Sequence, residues 1–153
     1  MSSAPPPSDH HDALTELPNR RLFDDRLRQA LHLASRRDSG IALVLIELLG
    51  FATADDDTVC EAARRLAPAL RKADTLARSG AAEFAVILTD VTDDVQCRIV
   101  AERLLGALDM DVATGISRFP ADALDAAALV RNADAARARA RESGRRHYRL
   151  YAR

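Results

Sequence analysis

The chain has 153 residues, of which 48% are hydrophobic and 29% are charged, and its formal net charge is −1. This length can bury one hydrophobic core, so a single domain is expected. A charge balance so close to neutral excludes a chain-wide electrostatic attraction to nucleic acid or to anionic membranes, and any charge-driven function must be local.

The N-terminal segment, residues 1–11, is rich in Ser and Pro, has no apolar periodicity and is predicted to be a disordered tail or linker. It lacks the basic start and apolar stretch of a secretory signal, and no run in the chain is long enough to span a bilayer. Cys60 and Cys97 are isolated and lack metal-ligand spacing. We therefore expect a reduced, cytoplasmic chain with no membrane contact and no metal site.

The next part of the chain alternates between helical and strand periods. From Asn19 the apolar residues recur every three or four positions until about residue 38, which predicts an amphipathic helix. Residues 41–49 are almost all apolar, as in a strand that is covered on both faces. A second helix is predicted over residues 57–72, kinked or broken at Pro68 because proline has no backbone N–H to donate.

A hairpin is predicted to follow, with strands at residues 75–78 and 84–88 joined by a turn at residues 79–82. A helix over residues 91–108 comes next. The pattern of residues 112–117 predicts another strand.

The C-terminal part of the chain completes the alternation. Phe119-Pro120 ends the preceding strand, residues 125–142 are predicted to form a helix that stops at Gly144, and residues 147–151 are predicted to form a last strand. The predicted fold class is therefore α/β or α+β, with a central mixed five-stranded sheet flanked by helices.

Four segments resemble one bacterial protein family. The string DALTELPNRRLF at residues 12–23 resembles the opening segment of the GGDEF family, the diguanylate cyclases, and segments that begin at Arg71, Arg98 and Ala133 follow in the family's order. The resemblance covers the chain from residue 12 to its end and implies one GGDEF domain over residues 12–153. It also implies a fold related to the palm of polymerases and to adenylyl cyclases, with a signature hairpin at the active site.

The resemblance further implies that cyclase chemistry is lost. An active member joins two GTP molecules, and clustered carboxylates must hold divalent metals against the phosphates. The signature reads GAAEF at residues 80–84, so the acidic third position is Ala82 and the second glycine is Ala81, where a Cβ obstructs approach of the nucleotide. Glu47 stands where the family has a metal-binding Asp, and Leu49 stands at a second acidic position.

Recognition of GTP is also expected to be weakened. The loop at residues 51–56 is shorter than the family's guanine-reading loop: Asp56 matches its Asp, but its Asn has no clear counterpart beyond Asp55. Arg141 and Arg145 match the basic positions that hold the terminal phosphates. Two interpretations of these arginines stay open: residual binding of GTP with Mg²⁺, and a solvated basic helix end that complements the helix dipole.

An Arg-x-x-Asp motif precedes the hairpin, at Arg71 and Asp74. The resemblance implies that it forms an inhibitory site for the product, cyclic di-GMP, together with Arg103 on the next helix. A carboxylate can accept from N1 and N2 of guanine, and a guanidinium can donate to O6 and N7. The alternative is a minor surface ion pair between Arg71 and Asp74.

Seven arginines lie between Arg137 and Arg153, a density that would suit a phosphate backbone. The spacing of Arg137 and Arg141 is instead that of a solvated helix face. Because the whole chain is also near neutral, we predict no nucleic-acid binding.

These residues favour a catalytically inactive GGDEF domain that acts as a cyclic di-GMP receptor and has no resident cofactor. The expected partners are cyclic di-GMP, bound as an intercalated dimer that can link two copies of the chain, and an unidentified signalling or regulatory protein. Two alternatives remain: a protein-interaction module that binds no nucleotide, and a weak cyclase that uses Glu47, Glu83 and the C-terminal arginines.

Overall fold

The computed structural model describes residues 9–50, 55–143 and 147–152. The helices and strands within these ranges follow the predicted order. The second helix was predicted to reach residue 72 with a kink or a break at Pro68; it ends at Leu66, and Pro68 lies in a 3-10 turn. In chain order the elements are α1 (Arg20–Arg36), β1 (Ile41–Leu48), α2 (Asp56–Leu66), the 3-10 turn (Ala67–Ala69), β2 (Thr75–Gly80), β3 (Glu83–Thr89), α3 (Asp94–Ala107), β4 (Val112–Phe119), α4 (Ala126–Glu142) and β5 (His147–Leu150).

Each of the four α-helices begins after a side chain that caps its N-terminus. The caps are Asn19, Asp55, Asp93 and Asp125, and each side chain accepts from the backbone N–H three residues further on. Such a cap satisfies an otherwise unpaired donor and contributes about 1 kcal/mol. Among the described residues, no helix is both long and apolar enough to cross a membrane.

The five strands form one mixed sheet in the order β2-β3-β1-β4-β5. Strands β4 and β5 are parallel, and the other neighbours are antiparallel. The predicted mixed five-stranded sheet with flanking helices is therefore confirmed. The central strand, β1, is buried along almost its whole length, as its apolar run predicts.

Helices cover both faces of the sheet. Alternate residues of β1 point to opposite faces. Val44 and Ile46 pack with α2 and α3, whereas Leu43 and Leu45 pack with α1 and α4. Glu47 follows in the second series, so its side chain lies on the face that α4 covers.

Helix α4 approaches β4 very closely at Gly115. A Cβ at this position would lie 2.1 Å from Ala133 O and 2.2 Å from Arg137 N. Only glycine leaves room for this contact. The backbone of Arg137 is thereby held directly over the sheet.

The loop before α1 is folded onto the domain. Asn19 donates from its backbone to His10 O at 2.9 Å and from its side chain to Asp9 O at 2.8 Å, and His11 forms a β-bridge with Pro18. Residues 9–11, assigned from the sequence to a disordered tail, thus belong to the folded part. The rest of that predicted tail, residues 1–8, lies outside the described residues.

Candidate functional site

Most of the predicted site residues fall into two groups at opposite ends of the β2–β3 hairpin; Arg103 lies apart from both, on α3. The first group, here the acidic end, comprises Glu47, Glu83 and the arginines that contact them. The second, here the RxxD turn, comprises residues 71–74 and directly precedes β2. Because β2 has six residues, and a strand rises about 3.3 Å per residue, the two groups are separated by about 20 Å.

The acidic end contains two carboxylates from neighbouring strands. Glu47 and Glu83 are direct cross-strand partners, and their side chains are 20% and 24% exposed. Like charges in this position repel unless a cation lies between them. Within the described ranges, no group of three or more His, Cys, Asp or Glu side chains could hold a metal ion.

Arg137 on α4 supplies a cation to this pair. Its Nη1 donates to Glu47 Oε1, its Nε lies 3.6 Å from Glu83 Oε2, and its Nη2 donates to Asp134 Oδ1 at 2.8 Å. Burial lowers the pKa of Arg137, but the three carboxylates outweigh that effect and hold the pKa above its ordinary value. The side chain is only 15% exposed, so the prediction that Arg137 lies on a solvated face is wrong.

Arg141 also reaches the acidic end. Its Nη1 donates to Glu47 Oε2 at 3.0 Å, and its side chain is 61% exposed. One of the two predicted phosphate-binding arginines is therefore already paired with a carboxylate. The other, Arg145, lies outside the described residues, and phosphate binding by the pair stays a prediction.

Arg78 connects the turn between β2 and β3, here the signature turn, to the loop before α1. Its Nη2 donates to Ala81 O at 2.8 Å, and its Nη1 lies 3.1 and 3.2 Å from the two carboxylate oxygens of Asp12. Ala82 O accepts from Leu48 N at 2.9 Å, and the Ala82 side chain packs against the core under α2 and α3. The position of the family's acidic residue is thus apolar and partly buried.

The predicted guanine-reading loop is described only at its end, because residues 51–54 lie outside the described ranges. Asp55 caps α2 by accepting from Thr58 N at 2.7 Å. This hydrogen bond holds the pKa of Asp55 below its ordinary value. Asp56 is the exposed first residue of α2.

The RxxD turn is closed by its own two charged side chains. Asp74 is only 2% exposed, and its carboxylate accepts from Arg71 N at 3.0 Å and Thr89 N at 3.2 Å. Arg71 Nε lies 3.4 Å from Asp74 Oδ2, and Arg71 Nη2 donates to Thr89 O. Arg71 is nevertheless 56% exposed, so Asp74 anchors the turn and Arg71 presents its charge to solvent.

Arg103 lies exposed on α3. Within the described residues it makes no hydrogen bond or ion pair with Arg71 or Asp74, so the structure joins two of the three predicted ligand-binding residues directly.

A cavity of about 180 Å³ adjoins the RxxD turn. Its lining includes Ala73, Thr89 and Asp90 next to this turn and the apolar residues Leu33 and Ile41. This cavity could not be predicted from the sequence, because it forms between α1 and the end of the β2–β3 hairpin that lies next to the RxxD turn. Its volume is below the roughly 300 Å³ of the smallest usual ligand pockets, so it is too small to enclose a dinucleotide.

The sequence profile of one family, described as "Diguanylate cyclase, GGDEF domain", matches residues 9–147. The chain belongs to the GGDEF family. The match begins at the first described residue, in agreement with the folded state of residues 9–11. It includes both ends of the hairpin.

Relatives of this GGDEF domain include a larger enzyme. The bifunctional diguanylate cyclase/cyclic di-GMP phosphodiesterase MucR of Pseudomonas aeruginosa is 34% identical over 157 aligned positions, which cover 90% of this chain and 23% of MucR. The chain thus spans about a quarter of the length of that relative.

Solved structures support the same fold. The GGDEF domain of TpbB from Pseudomonas aeruginosa superposes with a TM-score of 0.85 at 30% identity, covering 94% of this chain and 95% of that domain. The GGDEF domain of DgcB from Caulobacter crescentus, solved in complex with c-di-GMP, superposes with a TM-score of 0.84 at 20% identity, covering 100% and 99% of the two chains. The second likeness is one of fold alone.

Proposed function

We propose that this GGDEF domain is a receptor for cyclic di-GMP that has no cyclase activity. The observation that carries the proposal is the contrast between the two ends of the hairpin. At the acidic end, Glu47 is bound by Arg137 and Arg141. At the RxxD turn, Arg71 is fixed by Thr89 and still half exposed.

The proposed loss of catalysis rests on the hydrogen bonds that the carboxylates of the acidic end already accept. Metal-assisted transfer needs free carboxylate oxygens on a divalent ion. Both Glu47 oxygens accept from guanidinium groups, and Glu83 accepts from Ser79 Oγ at 2.9 Å while it faces Arg137. Ala82 contributes only a methyl group, so the residues present do not fit two catalytic metals.

Reception of the nucleotide rests on Arg71 and Arg103. A guanidinium can donate to O6 and N7 of guanine in a bidentate arrangement. The sequence predicted that Asp74 accepts directly from guanine. Because its side chain is only 2% exposed and its carboxylate accepts from Arg71 N and Thr89 N, we propose instead that Asp74 positions Arg71. The structure of DgcB with c-di-GMP shows that a domain of this fold binds such a ligand.

The proposed ligand is an intercalated dimer of cyclic di-GMP, which offers guanines on two sides and can link two copies of the domain or a protein partner. A reduced, cytoplasmic location suits the two free thiols. Burial raises the pKa of Cys97 to about 11, so this thiol is not reactive near neutral pH.

The site assignment is tested by calorimetric titration of cyclic di-GMP into the wild type and the variants Arg71→Ala and Arg103→Ala. Each variant is expected to bind roughly 10- to 100-fold more weakly, since a bidentate contact to guanine contributes about 1–3 kcal/mol. Lys72→Ala and Arg98→Ala remove neighbouring exposed cations from the same two segments and serve as controls with unchanged affinity. Equal affinities in all five proteins would contradict the assignment.

The absence of cyclase activity is tested with GTP and Mg²⁺ or Mn²⁺ during a long incubation. No dinucleotide product is expected, because neither carboxylate is free to hold metal. Product that forms in the wild type and disappears in Glu83→Gln would establish the weak cyclase instead.

A protein-interaction module is the second candidate, and one observation favours it. Val95 and Ile99 are exposed on α3, one turn apart and in line with Arg103. Capture of the same partner with and without cyclic di-GMP, lost in Ile99→Ser, would support this module over the receptor.

A further inference from the structure

The acidic end contains the guanidinium of Arg137 beside the carboxylates of Glu47 and Glu83. Glu47 and Glu83 are paired directly across β1 and β3, an arrangement that costs free energy when both groups are charged and unscreened. In a metal-dependent site a divalent ion would offset this repulsion. Here the nearest positive group is the guanidinium of Arg137.

Arg137 is held in this position by the fold. Its backbone N would lie 2.2 Å from a Cβ at Gly115, so the side chain starts directly above β4 and extends along the sheet surface toward Glu47. Asp134, one turn earlier, accepts from Arg137 Nε at 3.0 Å and Nη2 at 2.8 Å. These two hydrogen bonds with Asp134 fix the plane of the guanidinium independently of either glutamate.

We propose that Arg137 is an internal counter-cation that takes the place of a divalent metal between Glu47 and Glu83. It holds the ends of β1 and β3 together and keeps metal ions out of the acidic end. The inference rests on the proposed loss of cyclase chemistry at this site and explains how the fold tolerates two carboxylates there.

The first test is a thermal-unfolding cycle. Arg137→Met keeps most of the aliphatic length and removes the charge. It is expected to lower Tm by roughly 5 °C, because Glu83 loses the Arg137 guanidinium and Glu47 is left with the exposed Arg141. Adding Glu83→Gln to that variant is expected to recover most of the loss. Arg139→Met, an exposed position on the same helix, is the matched control and should leave Tm unchanged.

The second test is a titration with Mn²⁺, followed by electron paramagnetic resonance of the free ion and by Tm. The wild type is expected to show no saturable binding, whereas Arg137→Met gains a weak site and a Tm that rises with Mn²⁺. The gain should disappear in the double variant with Glu83→Gln.

Two results would overturn the inference: wild type that binds Mn²⁺ as tightly as Arg137→Met, or a folded Arg137→Met that neither gains Mn²⁺ binding nor recovers stability with Glu83→Gln. Neither readout involves cyclic di-GMP. A failure here is therefore distinguishable from a failure of the receptor proposal, which would appear in the nucleotide titration.

Discussion

Arg137 and Arg141 lie one helical turn apart on α4 but have different surroundings, with side chains 15% and 61% exposed. Helical spacing alone predicted that both lie on a solvated face, and for Arg137 this prediction was wrong. The signal that could have found it is the run of small residues at Ala133, Ala136 and Ala140, which lets α4 lie close to the sheet. A long side chain among them must extend over the strands.

Asp12 provides a test of the contacts that hold the signature turn. Burial raises the pKa of Asp12, but hydrogen bonds from Thr15 and the Arg78 guanidinium outweigh it, and the pKa lies below 3.8. The ionised form therefore stabilises the fold above pH 3.8, and this stabilisation is lost as the pH falls through the lowered pKa. Asp12→Asn is expected to lower the free energy of unfolding, measured in urea at pH 7, by about 1 kcal/mol.

The difference in the free energy of unfolding should shrink as the pH falls through the lowered pKa of Asp12, because the wild-type carboxylate is then protonated as well. Asp109→Asn removes an exposed carboxylate and should change little at either pH. A loss in Asp12→Asn that stays equally large as the pH falls through this lowered pKa would show that the charge is not responsible.

The helices and strands could be predicted from the sequence because each has a clear apolar period or a local cap, such as Asn19 before α1. The strand order could not, since the pairing of β1 with both β3 and β4 joins residues far apart in sequence. Contacts between distant parts of the sequence also determine the geometry of the RxxD turn and could not be predicted. The motif identified Arg71 and Asp74, but their shared contact with Thr89 depends on where β3 ends.

Replacing two glycines by alanine is expected to change stability in opposite directions. Gly115→Ala should destabilise the domain, because its Cβ would meet backbone atoms at 2.1 and 2.2 Å that cannot rotate away. In Gly106→Ala, at a helical position with nothing within 4 Å, the free energy of unfolding should rise by about 0.5–1 kcal/mol. Urea unfolding of both variants checks the pair, and a neutral Gly115→Ala would contradict the close packing.

The net charge of −1 hides a division of charge within the domain. At the acidic end, arginines and carboxylates pair with each other; at the RxxD turn, Asp74 is buried while its partner Arg71 is exposed beside a cavity of about 180 Å³. Because the two ends are separated by about the length of β2, a ligand at the RxxD turn would not compete directly with a nucleotide at the acidic end.

The claim that this domain binds cyclic di-GMP at the RxxD turn is tested by calorimetric titration of cyclic di-GMP into the folded wild-type chain, with and without excess GTP. A saturable heat that excess GTP leaves unchanged is the predicted result, since the two nucleotides would occupy opposite ends of the hairpin. No heat with folded protein, or a heat that GTP abolishes, would contradict the claim.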